Sequence, residues 1–390
     1  MDLNNLKLDP IIVVGGGFGG LATVEALLAN SDGTPIILID PSPRFLFKPL
    51  LYELLSSELQ LWEVAPKYSS LASELGFIFL QESVKEVDEL DKKVITTSNT
   101  ELTYSQLVIS TGVTTDYSLV KDLKKHAYGF SNLNDLLSIK KLITKINNSL
   151  EYKNPLVISG AGPTGIELAC KISDLVNNKL PIYLVEKGDR ILAKSKSFNR
   201  EKSKMAISNR NIKVYFKHCI KSVDENFLEL YANDNQANEP LKINYSGLIW
   251  TAGQKPSSLE FLTNFLGEYK KVKVNKYLQM EDYKNIFFVG DITFNDKNNF
   301  PSSAQVAMQQ GFVVAKNIIS LRKGNKLKSF EFEDLGEMLS LGIGNATITG
   351  YGITLAGPIA FEIRRLAYLM RMPGFSLSLK SAGSRLFSKK

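Results

Sequence analysis

Cysteine and histidine are scarce in this 390-residue chain, with two of each: Cys170, Cys219, His126 and His218. The cysteines form no CxxC pair, and two histidines do not build a zinc centre without further ligands. Neither a metal site nor a redox cysteine pair is therefore expected. Both thiols read as small buried hydrophobes. Met1–Asp9 lacks a basic n-region and a cleavage site, so no signal peptide is expected. A clean bilayer-length apolar run is lacking too. The nearest approach, Ile11–Ala29, has five glycines near its start and Glu25 within it, which argues against a span. Excess charge is missing from most of the chain. Of the net +7, residues 353–390 supply +6, from seven basic side chains against Glu362, which leaves +1 for residues 1–352. Those basic residues lie among apolar ones with no nucleic-acid motif, so no nucleic-acid partner is expected. The composition, 44% hydrophobic and 22% charged, is that of an ordinary globular protein. The length suggests two or three domains.

What is there is organised around one stretch. Ile11-Ile12-Val13-Val14 runs into Gly15-Gly16-Gly17-Phe18-Gly19-Gly20, and a helical pattern follows from Leu21 to about Ala29. This is a strand, a tight turn and a helix N-terminus carrying Gly-x-Gly-x-x-Gly. Gly15 permits the turn, Gly17 lets the backbone approach a pyrophosphate, and Gly20 lets helix and strand pack closely. The phosphates would sit on the helix N-terminus, where free N–H groups and the dipole favour anions. The next strand, Ile36–Ile39, ends at Asp40, 20 residues after Gly20. An acid at that place hydrogen-bonds a ribose hydroxyl.

The pattern then returns. Leu156-Val157-Ile158-Ser159 leads into Gly160, Gly162 and Gly165, a helix containing Glu167 follows, and the strand Ile182–Val185 ends at Glu186. A strand ending Thr111-Gly112 in the first copy is echoed by one ending Ala252-Gly253 in the second. These glycines lie 97 and 93 residues beyond Gly15 and Gly160. The chain therefore carries two copies of one dinucleotide-binding unit. A further strand, Asn285–Val289, ends in Gly290-Asp291 after the second copy, so the second is inserted into the first. The expected fold class is α/β, with two Rossmann-like domains, one nested in the other, and a C-terminal segment.

Three other stretches stand out. Phe45–Tyr52 is aromatic and punctuated by Pro49, as a loop beside a flat ring would be. Leu59–Ala72 and Leu133–Leu150 read as helices. Pro301–Gly311 opens a helix that runs to about Leu321 and holds Gln305, Gln309 and Gln310. Glutamines can donate to carbonyls without bringing a charge; the alternative is a plain amphipathic helix. Ile353–Met370 is apolar but holds Pro358, Glu362, Arg364 and Arg365, too polar to span a bilayer. It reads as an interfacial helix. Phe361, Leu366, Leu369 and Met370 would form its buried face, and Phe375, Leu377, Leu379, Leu386 and Phe387 would add depth. The alternative is a helix that packs a dimer partner, with a solvated basic end.

The order of these motifs resembles the two-dinucleotide-domain flavoprotein disulfide reductase superfamily over residues 10 to about 320. Phe47-Lys48-Pro49-Leu50-Leu51-Tyr52 and Ala304-Gln305-Val306-Ala307-Met308-Gln309 are similar to the FxPLLY and AQxAxQ segments of type II NAD(P)H:quinone dehydrogenases. Phe45–Pro66 looks most like the cyanobacterial and plastid subgroup, some of whose members reduce demethylphylloquinone. The resemblance implies non-covalent FAD in the first unit, with Asp40 at its adenosine ribose and Asp291 at its ribityl chain. Lys48, Thr111, Gly112, Gly290 and Ala304 join them at the flavin. It implies NADH or NADPH on Gly160, Gly162, Gly165, Glu186 and Gly253, and a membrane quinone at Gln305 and Gln309. Glu167 would lie at the nicotinamide and flavin and aid proton delivery to the quinone; the alternative is a dipole-favoured acid at the start of its helix.

The expected domains are residues 1–130 and 278–335 for FAD, 131–277 for NAD(P)H and 336–390 for the membrane. The expected place is the cytoplasmic face of the plasma or thylakoid membrane, reached through the C-terminus, with a homodimer left open. No segment spans the bilayer, so no proton pumping is expected. The rival readings are a soluble NAD(P)H oxidase or electron-transfer reductase on the same fold, and a redox sensor that binds NADH and FAD with slow turnover.

Overall fold

The computed structural model describes residues 8–30, 32–149, 152–233, 239–257, 265–266, 271–295 and 300–374. The first unit opens with β1 (Ile11–Val14), α1 (Phe18–Leu28) and β2 (Ile36–Ile39), and adds α2 (Leu51–Leu55), β3 (Ile78–Leu80) and β4 (Gln106–Ile109). The second comprises β5 (Ala127–Tyr128), β6 (Leu156–Ser159), α3 (Pro163–Leu175), β7 (Ile182–Glu186), β8 (Ile212–Phe216) and β9 (Gly247–Trp250). The chain then returns to the first unit with β10 (Ile286–Phe288) and α4 (Ala304–Arg322). It closes with β11 (Glu337–Ser340), β12 (Ala346–Gly350), β13 (Ile353–Gly357) and α5 (Pro358–Leu369).

Two five-stranded parallel sheets result. Their orders are β10-β4-β1-β2-β3 and β8-β7-β6-β9-β5. β1, β2, β6 and β9 are buried along their whole lengths, as strands covered on both faces must be. That is why they read as unbroken apolar runs rather than alternating ones. The insertion is real: β5 to β9 form the second sheet, while β10 rejoins the first beside β4. The second sheet takes its edge strand from Ala127–Tyr128, ahead of the boundary expected at residue 130.

Two glycine devices repeat in both units. Gly15 and Gly160 have φ of +94° and +101°, a conformation that suits glycine. A Cβ on Gly20 or Gly165 would meet the carbonyl oxygen of Gly15 or Gly160 at 1.9 Å. Each helix is thereby drawn against the end of its strand. α4 lies across α1 at another close approach, where a Cβ on Gly311 would meet the Gly19 carbonyl oxygen at 2.5 Å.

The C-terminal region departs from expectation. Ile353–Met370 is not one helix. β11, β12 and β13 form an antiparallel meander, and Gly357, with φ +98°, turns the chain into α5. Phe361 and Ala360 pack on Ala346, with Ile348 and Leu355 beside them. Phe361 and Leu369 are therefore buried in protein, while Leu366 and Met370 face outward. The tail residues Phe375, Leu377, Leu379, Leu386 and Phe387 lie outside the described residues. Leu59–Ala72 is likewise two helices, Leu61–Val64 and Tyr68–Leu75. Pro66 parts them, because the residue before a proline disfavours helix. Among the described residues no helix is long and apolar enough to cross a membrane, and no group of histidine, cysteine and acidic side chains could hold a metal ion.

Candidate active site

One cleft of about 1430 Å³ runs through the molecule. Its lining includes Gly15, Gly17 and Asp40, then Lys48, Thr111, Gly112, Gly290 and Asp291, and also Ala304, Gln305, Gln309 and Glu167. Residues dispersed over most of the sequence thus share one space. Gly253 lines it too, but Gly160, Gly162, Gly165 and Glu186 do not. Gly20 also stays out, being packed against Gly15 at the end of β1.

The phosphate cradles are open. A Cβ on Gly17 or Gly162 would meet nothing within 4 Å, and neither α1 nor α3 has an acid in its first turn. Asp40 and Glu186 brace these loops in the same way. Gly16 donates to Asp40 Oδ2 at 2.7 Å, and Ser42 to Oδ1 at 2.8 Å. Ala161 donates to Glu186 Oε2 at 2.8 Å, and Gly188 to Oε1 at 2.7 Å. Burial raises the Asp40 pKa against the pull of its two amide donors. The Tyr68 hydroxyl donates to the Gly16 carbonyl at 2.6 Å, a support for the first loop that sequence reasoning missed.

Lys48 and Asp291 face the same space. Burial lowers the Lys48 amine, while Asp291 and Asp135 act to raise it. Burial raises Asp291, opposed by Lys48 and Lys271. A cation and an acid held in a desolvated cleft suit a polar ligand with both donors and acceptors.

The glutamines of α4 are already engaged. Ser303 caps the helix, accepting from Val306 N at 3.2 Å. Gln305 accepts from Leu335 N at 3.1 Å. Gln309 exchanges hydrogen bonds with the Glu333 backbone, at 2.8 and 3.0 Å. Gln310 does not line the cleft. It is buried and accepts from Gly290 N at 2.6 Å, so it braces the Gly-Asp turn rather than facing a substrate. Gln305 and Gln309 hold the chain just before β11 against α4 at the cleft's edge.

Behind the cleft wall, reaching it only through Glu167, is a buried cluster of charge that no motif announced. Arg364, on α5, has 0% exposure, Glu53 on α2 has 0%, and Glu167 on α3 has 6%. Arg364 Nη1 pairs with Glu53 Oε1, and Nη2 donates to the Pro49 carbonyl at 2.7 Å and to Glu167 Oε1 at 3.4 Å. Ser340 N donates to the same Glu167 oxygen at 2.7 Å. Arg364 therefore lies inside the protein rather than on the outer side of an interfacial helix. It points inward because only there does it meet two carboxylates, and an unpaired buried charge is prohibitive. Burial pushes the Glu167 carboxyl up to about 7, while Arg364 and the Ser340 amide pull it down and Glu53 adds to the rise. The signals for this cluster were faint: one acid, Glu53, in the apolar run Leu51–Leu55, and a basic pair inside an amphipathic helix.

Cys170 is buried, and desolvation pushes its thiol up to about 12, which makes it a poor nucleophile.

Comparison with known proteins agrees with this fold. The model of the pyridine nucleotide-disulphide oxidoreductase family matches residues 9–311. Demethylphylloquinone reductase NdbB of Synechocystis is 34% identical over 377 residues, covering 93% of this chain and 92% of that protein. The chain belongs to this family. Within it, the chain falls among the type II NAD(P)H:quinone dehydrogenases. The alternative NAD(P)H-ubiquinone oxidoreductase C1 of Arabidopsis thaliana is 30% identical, over 94% of this chain and 78% of its own length. NDH2 from Plasmodium falciparum, solved in complex with NADH, shares the fold with a TM-score of 0.84 at 20% identity, covering 95% of this chain and 96% of that one. The resemblance read from the motifs is thus borne out, as are the flavoprotein fold and the oxidoreductase class. The open first cradle fits FAD and the open second fits NAD(P)H. No paired cysteines lie in the first unit, so the disulphide chemistry in the family's name has no site here.

Proposed function

We propose that this chain is an FAD-dependent NAD(P)H:quinone oxidoreductase working at a membrane surface, on plastoquinone or a demethylphylloquinone-type naphthoquinone. The observation that carries the reading is the single cleft in which Gly17, Asp40, Lys48 and Asp291 meet Gln305, Gln309 and Glu167. FAD bound there would take a hydride from NAD(P)H and give two electrons to the quinone. The residues supply the rest. Residues 1–130 and 278–335 hold FAD through Gly15, Gly17, Gly20, Asp40, Lys48, Thr111, Gly112, Gly290, Asp291 and Ala304. Residues 131–277 hold NAD(P)H through Gly160, Gly162, Gly165, Glu186 and Gly253. The N-terminus of α4 favours negative charge at the flavin, by up to about 2 kcal/mol in partly buried geometry. Gln305 and Gln309 shape the quinone end, and Glu167, with a pKa raised to about 7, is suited to pass protons near neutral pH.

The membrane contact is assigned to α5. Ile359, Leu366 and Met370 are 68%, 54% and 73% exposed and share one face of that helix, while residues 353–390 carry the net +6. An apolar stripe with basic flanks suits an anionic lipid surface. The test is stopped-flow reoxidation of the NADH-reduced flavin in liposomes, comparing a plastoquinone with a demethylated naphthoquinone. Reoxidation by either, much faster than by O₂, supports the reading, and the faster of the two names the substrate class. Slow reoxidation by both would overturn it in favour of a soluble acceptor.

A further inference from the structure

The Glu53–Arg364–Glu167 cluster joins three separate parts of the chain, and Glu167 brings it to the wall of the cleft. α2 belongs to the first unit, α3 to the second and α5 to the C-terminal region. Two carboxylates share one guanidinium, so full ionisation would leave an uncompensated negative charge in a buried place. Glu53 Oε2 and Arg364 Nε have no hydrogen-bond partner. The cluster is therefore incompletely satisfied, which in a buried polar network is costly. A purely structural brace would be better served by apolar side chains.

We propose that Arg364 and Glu53 are positioning residues for Glu167, acting on it with opposite sign: the guanidinium holds it ionised, the neighbouring carboxylate holds it protonated. The C-terminal helix is then part of the proton-handling machinery of the site as well as its cover. This rests on Glu167 serving as a proton donor in quinone reduction.

The surroundings of Glu167 are enumerable. From α2 come Tyr52, which hydrogen-bonds it, and Glu53. From α5 come Arg364 and Tyr368. From β11 comes the Ser340 amide. On its own helix, Cys170 is neutral, and Lys171 is turned to Glu58 at 2.5 Å. Arg364 is the nearest cation and Glu53 the anion that bears on Glu167. Burial opposes the Arg364 charge, but Glu53, Tyr368 and Glu167 outweigh it and hold its pKa up. The guanidinium is thus a fixed charge, and the carboxyl is what titrates.

The experiment follows the carboxyl directly. Infrared titration of the holoenzyme, with Glu167→Gln as the subtraction reference, reads the protonation midpoint of Glu167. Arg364→Gln should move that midpoint up by about one unit or more, and Glu53→Gln should move it down, the size expected for a charge at this range. The double variant should return toward the parent, and Arg364→Lys should stay near it. Loosening of α5 alone would move both single variants in the same direction, and such a result, or no movement, overturns the inference. The underlying reading is tested separately by the Glu167→Gln enzyme. An unchanged rate of quinone reduction there, with NADH oxidation intact, removes Glu167 from the reaction whatever the infrared band does in the other variants.

Discussion

At the scale of single residues, the repeated glycines separate two duties that the motif merges. Gly17 and Gly20 are both invariant positions of the pattern, yet their surroundings are opposite. A methyl on Gly17 would enter open space at the cradle, and its φ of −64° suits any residue. A methyl on Gly20 would collide with backbone. Gly17→Ala should therefore fold with an unchanged apo melting temperature but lose flavin affinity, as fluorescence titration would show. Gly20→Ala should lower the melting temperature with or without flavin. Glu186 has both carboxylate oxygens tied to backbone amides, which fixes the place of this side chain; in the proposed reading a 2′-phosphate would meet it. NADH should be preferred, and a kcat/KM ratio favouring NADPH by more than about tenfold would refute this. Glu167 supplies a third test. Its folded-state pKa lies above the ordinary 4.5. The folded chain thus binds more protons than the unfolded one between about pH 4.5 and 7, and stability falls as pH rises through that window. Glu167→Gln removes this loss. Its unfolding free energy relative to the parent should rise from pH 5 to pH 8 by on the order of 3 kcal/mol, measured by urea titration. The glycines, Asp40 and Glu186 were legible because a phosphate and a ribose demand particular residues at particular spacings. Arg364 and Glu53 were not, because a buried charge is recognised by its partner, and these partners lie 311 residues apart.

Among the elements, the parallel strands were legible because burial on both faces leaves a continuous apolar run, and the helices after them because each opens on a glycine turn. The short antiparallel strands beyond β10 were not. Glu337–Ser340 and Ala346–Gly350 are four and five residues long, and their pairing is set by turns at glycines rather than by alternation. The crossing of α1 and α4 also escaped, since it depends on two glycines distant in sequence. Alanine in a helix interior ordinarily stabilises relative to glycine by about 1 kcal/mol. At Gly311 the sign should reverse, because the added methyl would press on the Gly19 carbonyl oxygen and the Thr23 amide. Overpacking of this kind costs about 1–3 kcal/mol. Gly311→Ala should melt a few degrees lower and hold flavin less tightly, since moving α4 displaces Gln310 from Gly290. A higher melting temperature would show that the helices part without strain.

Over the whole molecule, the C-terminal helix has two faces, to which the proposed function gives two duties. Its inner face carries Phe361, Arg364 and Leu369 into the protein. Its outer face leaves Ile359, Leu366 and Met370 exposed, and the strand leading into it leaves Ile353 exposed. An apolar side chain of this size gains about 1.5–3 kcal/mol on leaving water, so three or four of them, with basic flanks, suffice for reversible attachment to an anionic bilayer. Ile359 and Leu366 lie outside the cleft lining, which allows attachment to be separated from chemistry. Ile359→Glu with Leu366→Glu should cut binding to anionic vesicles by at least about tenfold per residue. Turnover with a water-soluble quinone should stay at the parent rate, while turnover with a prenylated quinone in vesicles should fall with the bound fraction. Binding that persists in the double variant would place the lipid contact elsewhere. Losing the soluble-quinone rate as well would mean that the outer face holds Arg364 in place, and that the two faces are not independent.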